Sequence, residues 1–247
     1  MRATVDFRGR DFFLWRGLDK TGENGYNENT EYEGKEGATM GIITISREFG
    51  SGGREVGKRL ADELGYAYYD REIVTAIAEK HSLDENYVSY ALDGGLLRNI
   101  PVHFGRTFSY SPSLITHETK LFAEQNKLLK EIAAKGNCVI VGRAADVILR
   151  EFHPFNLFVY ADMPAKVQRC QERAAEDEHL SARQMEKKIR RIDADRKRYH
   201  GMISDVMWGD KKGYHLCVNT TDRDIRSLVP LLAQYIHLWM EEHSAEE

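Results

Sequence analysis

Cysteine, proline and long apolar runs are all scarce in this chain of 247 residues, which holds three cysteines and five prolines. Cys138, Cys170 and Cys217 lie far apart and without metal-ligand spacing, so neither a zinc site nor a disulfide framework is expected. Cys138 and Cys217 fall in apolar runs, where cysteine acts as a small buried hydrophobe, and a reducing, cytoplasmic compartment fits. No apolar stretch approaches the ~20 residues that span a bilayer, and Phe12, Phe13, Leu14 and Trp15 make too short a patch for a signal peptide. Charge of one sign is also missing. With a formal net charge of −4, no overall field draws the chain to nucleic acid or to a membrane, and neither partner is expected. Any bound anion must be met by arginines concentrated locally. His103, His117, His153, His179 and His215 form no ligand spacing and are expected to be structural or exposed.

What is present divides at about residue 40. From Asp19 to Gly37 the chain is rich in Gly, Asn and Glu and almost free of aliphatic side chains, so it cannot bury enough apolar surface to offset its ordering entropy. Residues 1–39 are expected to be a flexible extension dispensable for folding. A chain beginning at Met40 that fails to fold contradicts this.

From Met40 onward strands and helices alternate, which argues for an α/β fold around a parallel sheet. Strands are expected at Ile42–Ser46, Tyr66–Tyr69, Cys138–Val141, Leu157–Tyr160 and Leu216–Val218. Helices are expected from about Arg54 to Leu64, across most of Arg71–Lys135, over the basic stretch Lys166–Tyr199, and from Asp224 to Met240. In the first helix Val56, Leu60, Ala61 and Leu64 recur at helical spacing, and Gly65 closes it. Asp93-Gly94-Gly95 and Ser111-Pro112-Ser113 break the long helical region.

The most informative segment is Ile43-Thr44-Ile45-Ser46-Arg47-Glu48-Phe49-Gly50-Ser51-Gly52-Gly53-Arg54-Glu55. A buried strand runs into a glycine-rich loop and then a helix. Such a loop turns successive backbone N–H groups toward an anion, and the helix N-terminus adds its positive dipole end. A glycine-rich turn without a ligand is the competing possibility. The regular phosphate loop, Gly-x-x-x-x-Gly-Lys followed by Ser or Thr, puts lysine on the β- and γ-phosphates and the hydroxyl on Mg²⁺. Here Arg54 is the nearest cation, and Glu55 stands where the hydroxyl is expected. Gly50, Ser51, Gly52, Gly53, Arg54 and Glu55 are therefore the candidate phosphate-binding residues, with Arg54 as the cation.

The wording Ser-Arg-Glu-Phe-Gly-Ser-Gly-Gly-Arg-Glu, and the run from Ile43 to Asp70 as a whole, resemble the cytidylate kinase-like family. Against bacterial cytidylate kinases, Gly53 falls on the loop lysine, Asp70 on an aspartate after the second strand, and Arg71 on a serine that contacts the nucleoside monophosphate. The resemblance runs from Met40 to the C-terminus. It implies a P-loop NTPase fold of three layers with a central parallel five-stranded sheet. It further implies a helical acceptor-binding insertion at about 84–118 and an arginine-rich lid at about 166–200.

The implied activity is phosphoryl transfer from ATP, with Mg²⁺, to a nucleoside monophosphate such as CMP. Two alternatives stand beside it: a P-loop kinase for another small acceptor, and a regulatory protein that binds nucleotide with little turnover. Gly142-Arg143 follows the third strand where α/β folds bind ligands. The family places an aspartate next, which helps recognise the nucleotide; Ala144 stands there instead. Arg143 is thus a candidate acceptor contact, or an arginine closing a strand.

Arg191, Asp195 and Arg198 share one helix face. The resemblance gives that spacing to the lid, where it engages phosphate and the monophosphate nucleotide; otherwise the helix is a solvated face with ion pairs at i, i+4. Arg196 points elsewhere on the same wheel and is the weaker candidate. Asp70 is either a base or substrate anchor, or the N-cap of the next helix. Asp162 has the same two faces: a distant Mg²⁺ ligand through water, or a cap.

Overall fold

The computed structural model describes residues 41–92, 112–174 and 180–244, so the expected N-terminal extension and the Asp93-Gly94-Gly95 break lie outside the described residues. Strands are β1 (Ile42–Arg47), β2 (Ala67–Tyr69), β3 (Cys138–Val141), β4 (Phe155–Tyr160) and β5 (Leu216–Asn219). Helices are α1 (Gly53–Leu64), α2 (Glu72–His81), α3 (Glu85–Leu92), α4 (Pro112–Ala133), α5 (Ala145–Ile148), α6 (Met163–Glu172), α7 (Ala182–Ile203) and α8 (Ile225–Ser244).

The strands form one sheet in the order β2-β3-β1-β4-β5. Every pairing is parallel, with Ile43 opposite Val139 on one side and Phe155 on the other. A parallel strand needs a crossover to its neighbour, so helices cover both faces, and strands buried on both sides are apolar throughout. β3 obeys this, with Val139, Ile140 and Val141 fully buried, and β1 does so at Ile43 and Ile45 while also burying the hydroxyls of Thr44 and Ser46. Successive residues point to opposite faces. Ile42 and Ile140 therefore pack with Ile73, Ile77, Leu121 and Leu129 on one side. Ile43, Ile45, Val139 and Val141 pack with Val56, Leu60, Val229 and Ile236 on the other. The architecture is the expected three-layer α/β fold with a central parallel five-stranded sheet.

Two boundaries moved for identifiable reasons. β4 begins at Phe155 rather than Leu157, because Phe155 pairs with Ile43 and is fully buried among the rings of His215, Tyr235 and Trp239. The basic stretch 166–200 is two helices, and α7 opens with a capping box in which Ser181 and Gln184 satisfy each other's backbone N–H. Asp162 stands at the N-cap of α6, but its side chain makes no capping bond. Among the described residues no helix is long and apolar enough to cross a membrane. All five strands end at the same edge of the sheet, and that edge carries the loop after β1, Asp70 after β2 and the Gly142 turn after β3.

Candidate functional site

The loop Glu48–Gly52 owes its shape to carbonyls tied back into the protein. Arg169 Nη1 donates to the Gly50 carbonyl at 2.7 Å, and Thr220 Oγ1 donates to that of Ser51 at 2.6 Å. Lys166 Nζ donates to Glu48 Oε2 at 2.9 Å, and the N–H of Phe49 donates to Asp193 Oδ1 at 2.7 Å. Burial raises the Asp193 carboxyl above its ordinary value, against the Phe49 N–H and the cations Arg196 and Lys166, which lower it. Helices α6 and α7 thus clamp the loop from outside. The N–H groups of Gly50, Gly52, Gly53, Arg54 and Glu55 find no acceptor among the described residues. Phe49 and Ser51 are excluded from that set, because their N–H groups are already bonded to Asp193 and to the Glu48 carbonyl. Free N–H groups gathered at a helix N-terminus suit an anion.

Glu55 does not stand free at this site. It is paired with Arg59 Nε at 3.0 Å and with Arg173 Nη2. Burial alone would raise its carboxyl; the hydrogen bonds from Arg173 and Arg59 outweigh that and hold it below the ordinary carboxylate range.

Beside the loop lies a cleft of about 620 Å³. Its walls come from the ends of β1 and β3, the first turns of α1 and α2, helix α3, and one face of α7. Six arginines line it (Arg47, Arg54, Arg71, Arg143, Arg191 and Arg196) against the carboxylates of Glu85 and Asp195. Tyr199 and Trp208 supply aromatic wall, and Asn86 and Ser89 supply neutral polar groups. Of the sequence-predicted residues, Arg54, Arg71, Arg143, Arg191 and Asp195 are brought together here. Arg198 is outside the lining; it is 43% exposed and pairs with Asp195 at 3.4 Å.

Asp70 is not a helix cap. The N-cap position of α2 is Arg71, and Asp70 turns its carboxylate to two guanidiniums, Arg54 Nε at 2.6 Å and Arg47 Nη2 at 3.5 Å. The turn after β3 is backbone under strain: Gly142, Arg143 and Ala144 have φ of 79°, 60° and 49°. Successive left-handed residues that carry a Cβ are unfavourable by about 1–2 kcal/mol each and persist where function maintains them. Arg143→Gly is therefore expected to stabilise the fold by about 1 kcal/mol while weakening anion binding in the cleft. Denaturant melts with and without phosphate check both halves.

Three features escaped the sequence. Arg47 is 12% exposed yet lines the cleft, and burial together with Arg196, Arg54 and Arg143 pushes its pKa down to about 9, against Asp70. It remains a cation at neutral pH. Arg196, assigned to another helix face, in fact lines the cleft, donates to the Arg47 carbonyl at 3.0 Å and lies 5.7 Å over the Phe49 ring. The face of α7 along the cleft runs through Arg191, Asp195 and Tyr199 and through the next residue of each turn, Ile192, Arg196 and His200, which brings Arg196 to the site. The third is a buried pair, His200 Nε2 to Asp146 Oδ2 at 2.8 Å, with Ser46 Oγ donating to Asp146 Oδ1 at 3.4 Å. It ties α7 to α5 and β1 across 54 residues of chain, a separation no local pattern reveals.

Among the described residues no cluster of three or more His, Cys, Asp or Glu side chains is placed to hold a metal ion. The free N–H groups and the guanidiniums suit a nucleotide's phosphates, and a Mg²⁺ that travels with those phosphates needs one or two protein carboxylates at most.

No curated protein matches the sequence. Among solved structures, an "uncharacterized protein" from Eubacterium ventriosum ATCC 27560 is 24% identical, covering 80% of this chain and 98% of that one, with a TM-score of 0.58. It shares the fold. A shikimate kinase from Bacteroides thetaiotaomicron (14% identical, 80% of this chain, 98% of that one, TM-score 0.49) is more distant. A gluconokinase from Sinorhizobium meliloti 1021 (14% identical, 85% of this chain, 98% of that one, TM-score 0.48) stands at a similar distance. Residues 42–222, from β1 to just past β5, match the cytidylate kinase-like family over most of the chain, loop and cleft included. The protein belongs to the cytidylate kinase-like family.

Proposed function

We propose that this protein transfers a phosphoryl group from Mg²⁺-ATP to a small phosphorylated acceptor, with nucleoside monophosphates, CMP first among them, as the acceptors to test. The observation that carries this is that five N–H groups of the loop and the first turn of α1, without an acceptor among the described residues, lie beside a cleft lined by six arginines. Phosphoryl transfer asks little covalent chemistry of a protein; it needs two anionic reactants held in line and charge stabilised on the transferring oxygens. The N–H groups of Gly50 and Gly52 to Glu55 would receive the donor's phosphates, with Arg54 beside them. Arg71, Arg143, Arg191 and Asp195 would hold the acceptor, and Arg198 would join as the lid closes.

In the step itself an acceptor phosphate oxygen forms a bond to the γ-phosphorus, the bond to the β-phosphate oxygen breaks, and ADP leaves. A phosphate monoester with a second pKa of about 6 is ionised at neutral pH, so the step needs no general base. Asp70 suits that economy: its oxygens already face Arg47 and Arg54, and its part is to fix their direction. Helix α3 would belong to an acceptor-binding insertion at about 84–118, and α6 with α7 to a lid at about 166–200.

Ala144, where cytidylate kinases carry an aspartate, favours a second possibility: another acceptor with a phosphate or carboxylate, read by Glu85, Asn86 and Ser89. The deciding experiment measures Mg²⁺-dependent ADP release across a panel of acceptors. Strong stimulation by one nucleoside monophosphate supports the proposal, stimulation by a different anion supports the second possibility, and tight nucleotide binding with no stimulation supports a regulatory role. Arg54→Ala is expected to weaken transition-state stabilisation by about 2 kcal/mol or more, the scale of one lost oxyanion donor. Unchanged kcat/KM in that variant would remove Arg54 from the site.

A further inference from the structure

We infer that Arg47 and Gly53 have exchanged the roles of glycine and lysine in the phosphate loop, so that the cation serving the donor phosphates comes from the end of β1. The inference rests on the phosphotransfer proposal. Laying Gly-x-x-x-x-Gly-Lys on this sequence with its second glycine at Gly52 puts its first glycine on Arg47 and its lysine on Gly53. Each position carries the residue class the pattern gives to the other.

The structure gives a steric reason. A Cβ built on Gly53 would stand 2.5 Å from Arg47 Cβ and 2.8 Å from its Cγ, closer than real Cβ atoms come. The stem of Arg47 therefore runs through the space a lysine at 53 would use, and glycine at 53 is the condition for Arg47 to lie there. Farther along, a Cβ on Gly142 would meet Arg47 Nη1 at 1.7 Å, so a second glycine makes room for the guanidinium.

The electrostatics point the same way. Arg47 is almost wholly buried, with Arg54, Arg143 and Arg196 close enough to disfavour its charge and one carboxylate, Asp70, shared with Arg54. Arg196 has a carboxylate of its own in Asp193 at 3.4 Å, but Arg47 holds only the longer side of the shared pair, 3.5 Å to Asp70 against 2.6 Å for Arg54. This arrangement is completed by an anion, and the N–H groups of the loop lie beside it.

The test uses the full chain with Arg47→Met, Arg47→Gly, Gly53→Lys and the double variant Arg47→Gly/Gly53→Lys. Three readouts are taken: melting temperature, ADP affinity by calorimetry, and turnover with Mg²⁺-ATP and the best acceptor. Arg47→Met keeps the stem over Gly53 and removes only the charge. It is expected to melt at or above the wild-type temperature, to bind ADP at least tenfold more weakly, and to lose about 10²–10³-fold in turnover, as for a lost transition-state donor. Gly53→Lys alone is expected to melt lower, because two stems then compete for one space. The double variant is expected to regain the melting temperature and at least tenfold of the ADP affinity that Arg47→Gly loses. Wild-type ADP affinity in Arg47→Met, or a double variant no better than Arg47→Gly, overturns the inference. If the wild type turns over no acceptor, the phosphotransfer proposal fails, and the exchange is judged by ADP affinity alone. If Arg47→Gly does not fold, Arg47→Met decides.

Discussion

Asp70→Asn is expected to lower the stability of the protein by about 3 kcal/mol, the lower end of what removing one partner from a buried ion pair costs. Arg47 is 12% exposed on its side chain, so its guanidinium cannot turn to water when Asp70 is lost, whereas loss of Arg47 still leaves Asp70 its closer partner, Arg54 at 2.6 Å. The substitution leaves the shape almost unchanged and removes the one carboxylate between Arg47 and Arg54. Arg196, Arg54 and Arg143 then act on the buried Arg47 charge with less to offset them. The same reasoning predicts that phosphate returns part of the loss: an anion that binds the folded state alone stabilises it by mass action, by about 2.7 kcal/mol at a hundredfold excess over its dissociation constant. The gain in melting temperature from added phosphate should thus be larger in Asp70→Asn than in the wild type. Urea denaturation with and without phosphate measures both effects. Equal stability of variant and wild type would mean that the carboxylate does not neutralise the site.

The second large effect concerns activity more than stability. Gly142→Ala is expected to reduce turnover by about 10²-fold, the scale of a misplaced reacting group, while lowering stability by about 1–2 kcal/mol. The left-handed φ of 79° at this position disfavours any Cβ, which accounts for the stability term. The activity term comes from Arg47, whose Nη1 lies 1.7 Å from where that Cβ would be and has to leave. With its stem wedged over Gly53 and a carboxylate on one side, the guanidinium cannot move without losing its aim. Steady-state kinetics beside a urea melt separate the two terms. A variant that loses stability but keeps its turnover would detach Arg47 from the chemistry.

Most of the fold was legible because parallel strands buried on both faces write themselves as apolar runs. Cys138–Val141 was read with its observed limits, and each of the other four strands differed only by one or two residues. Phe155 was missed as a strand residue because nothing local says that it pairs with Ile43; its place is set by rings from α8, some 80 residues later. The cleft was half legible. Arg54, Arg71, Arg143, Arg191 and Asp195 were found because they occupy strand ends, a loop end or a helix seam, positions with local signatures. Arg47 was overlooked although a signal existed, since the spacing that exposed the missing lysine also puts a glycine at 47. Arg196 ranks below Arg198 on a wheel centred on Arg191 and Asp195, while the face of α7 along the cleft takes in Arg196 and leaves Arg198 outside, a rotation that only the packing of α7 sets. The pair of Asp146 with His200 depends wholly on tertiary packing.

The central claim is that loop N–H groups hold the donor's phosphates, and backbone amide chemical shifts in a ¹⁵N-labelled sample titrated with ADP test it most directly. The largest downfield amide proton shifts are expected at Gly50, Gly52, Gly53, Arg54 and Glu55, the groups without an acceptor among the described residues, and smaller ones at Phe49, which is already bonded to Asp193. Saturable ADP binding that leaves those five amides unmoved would contradict it.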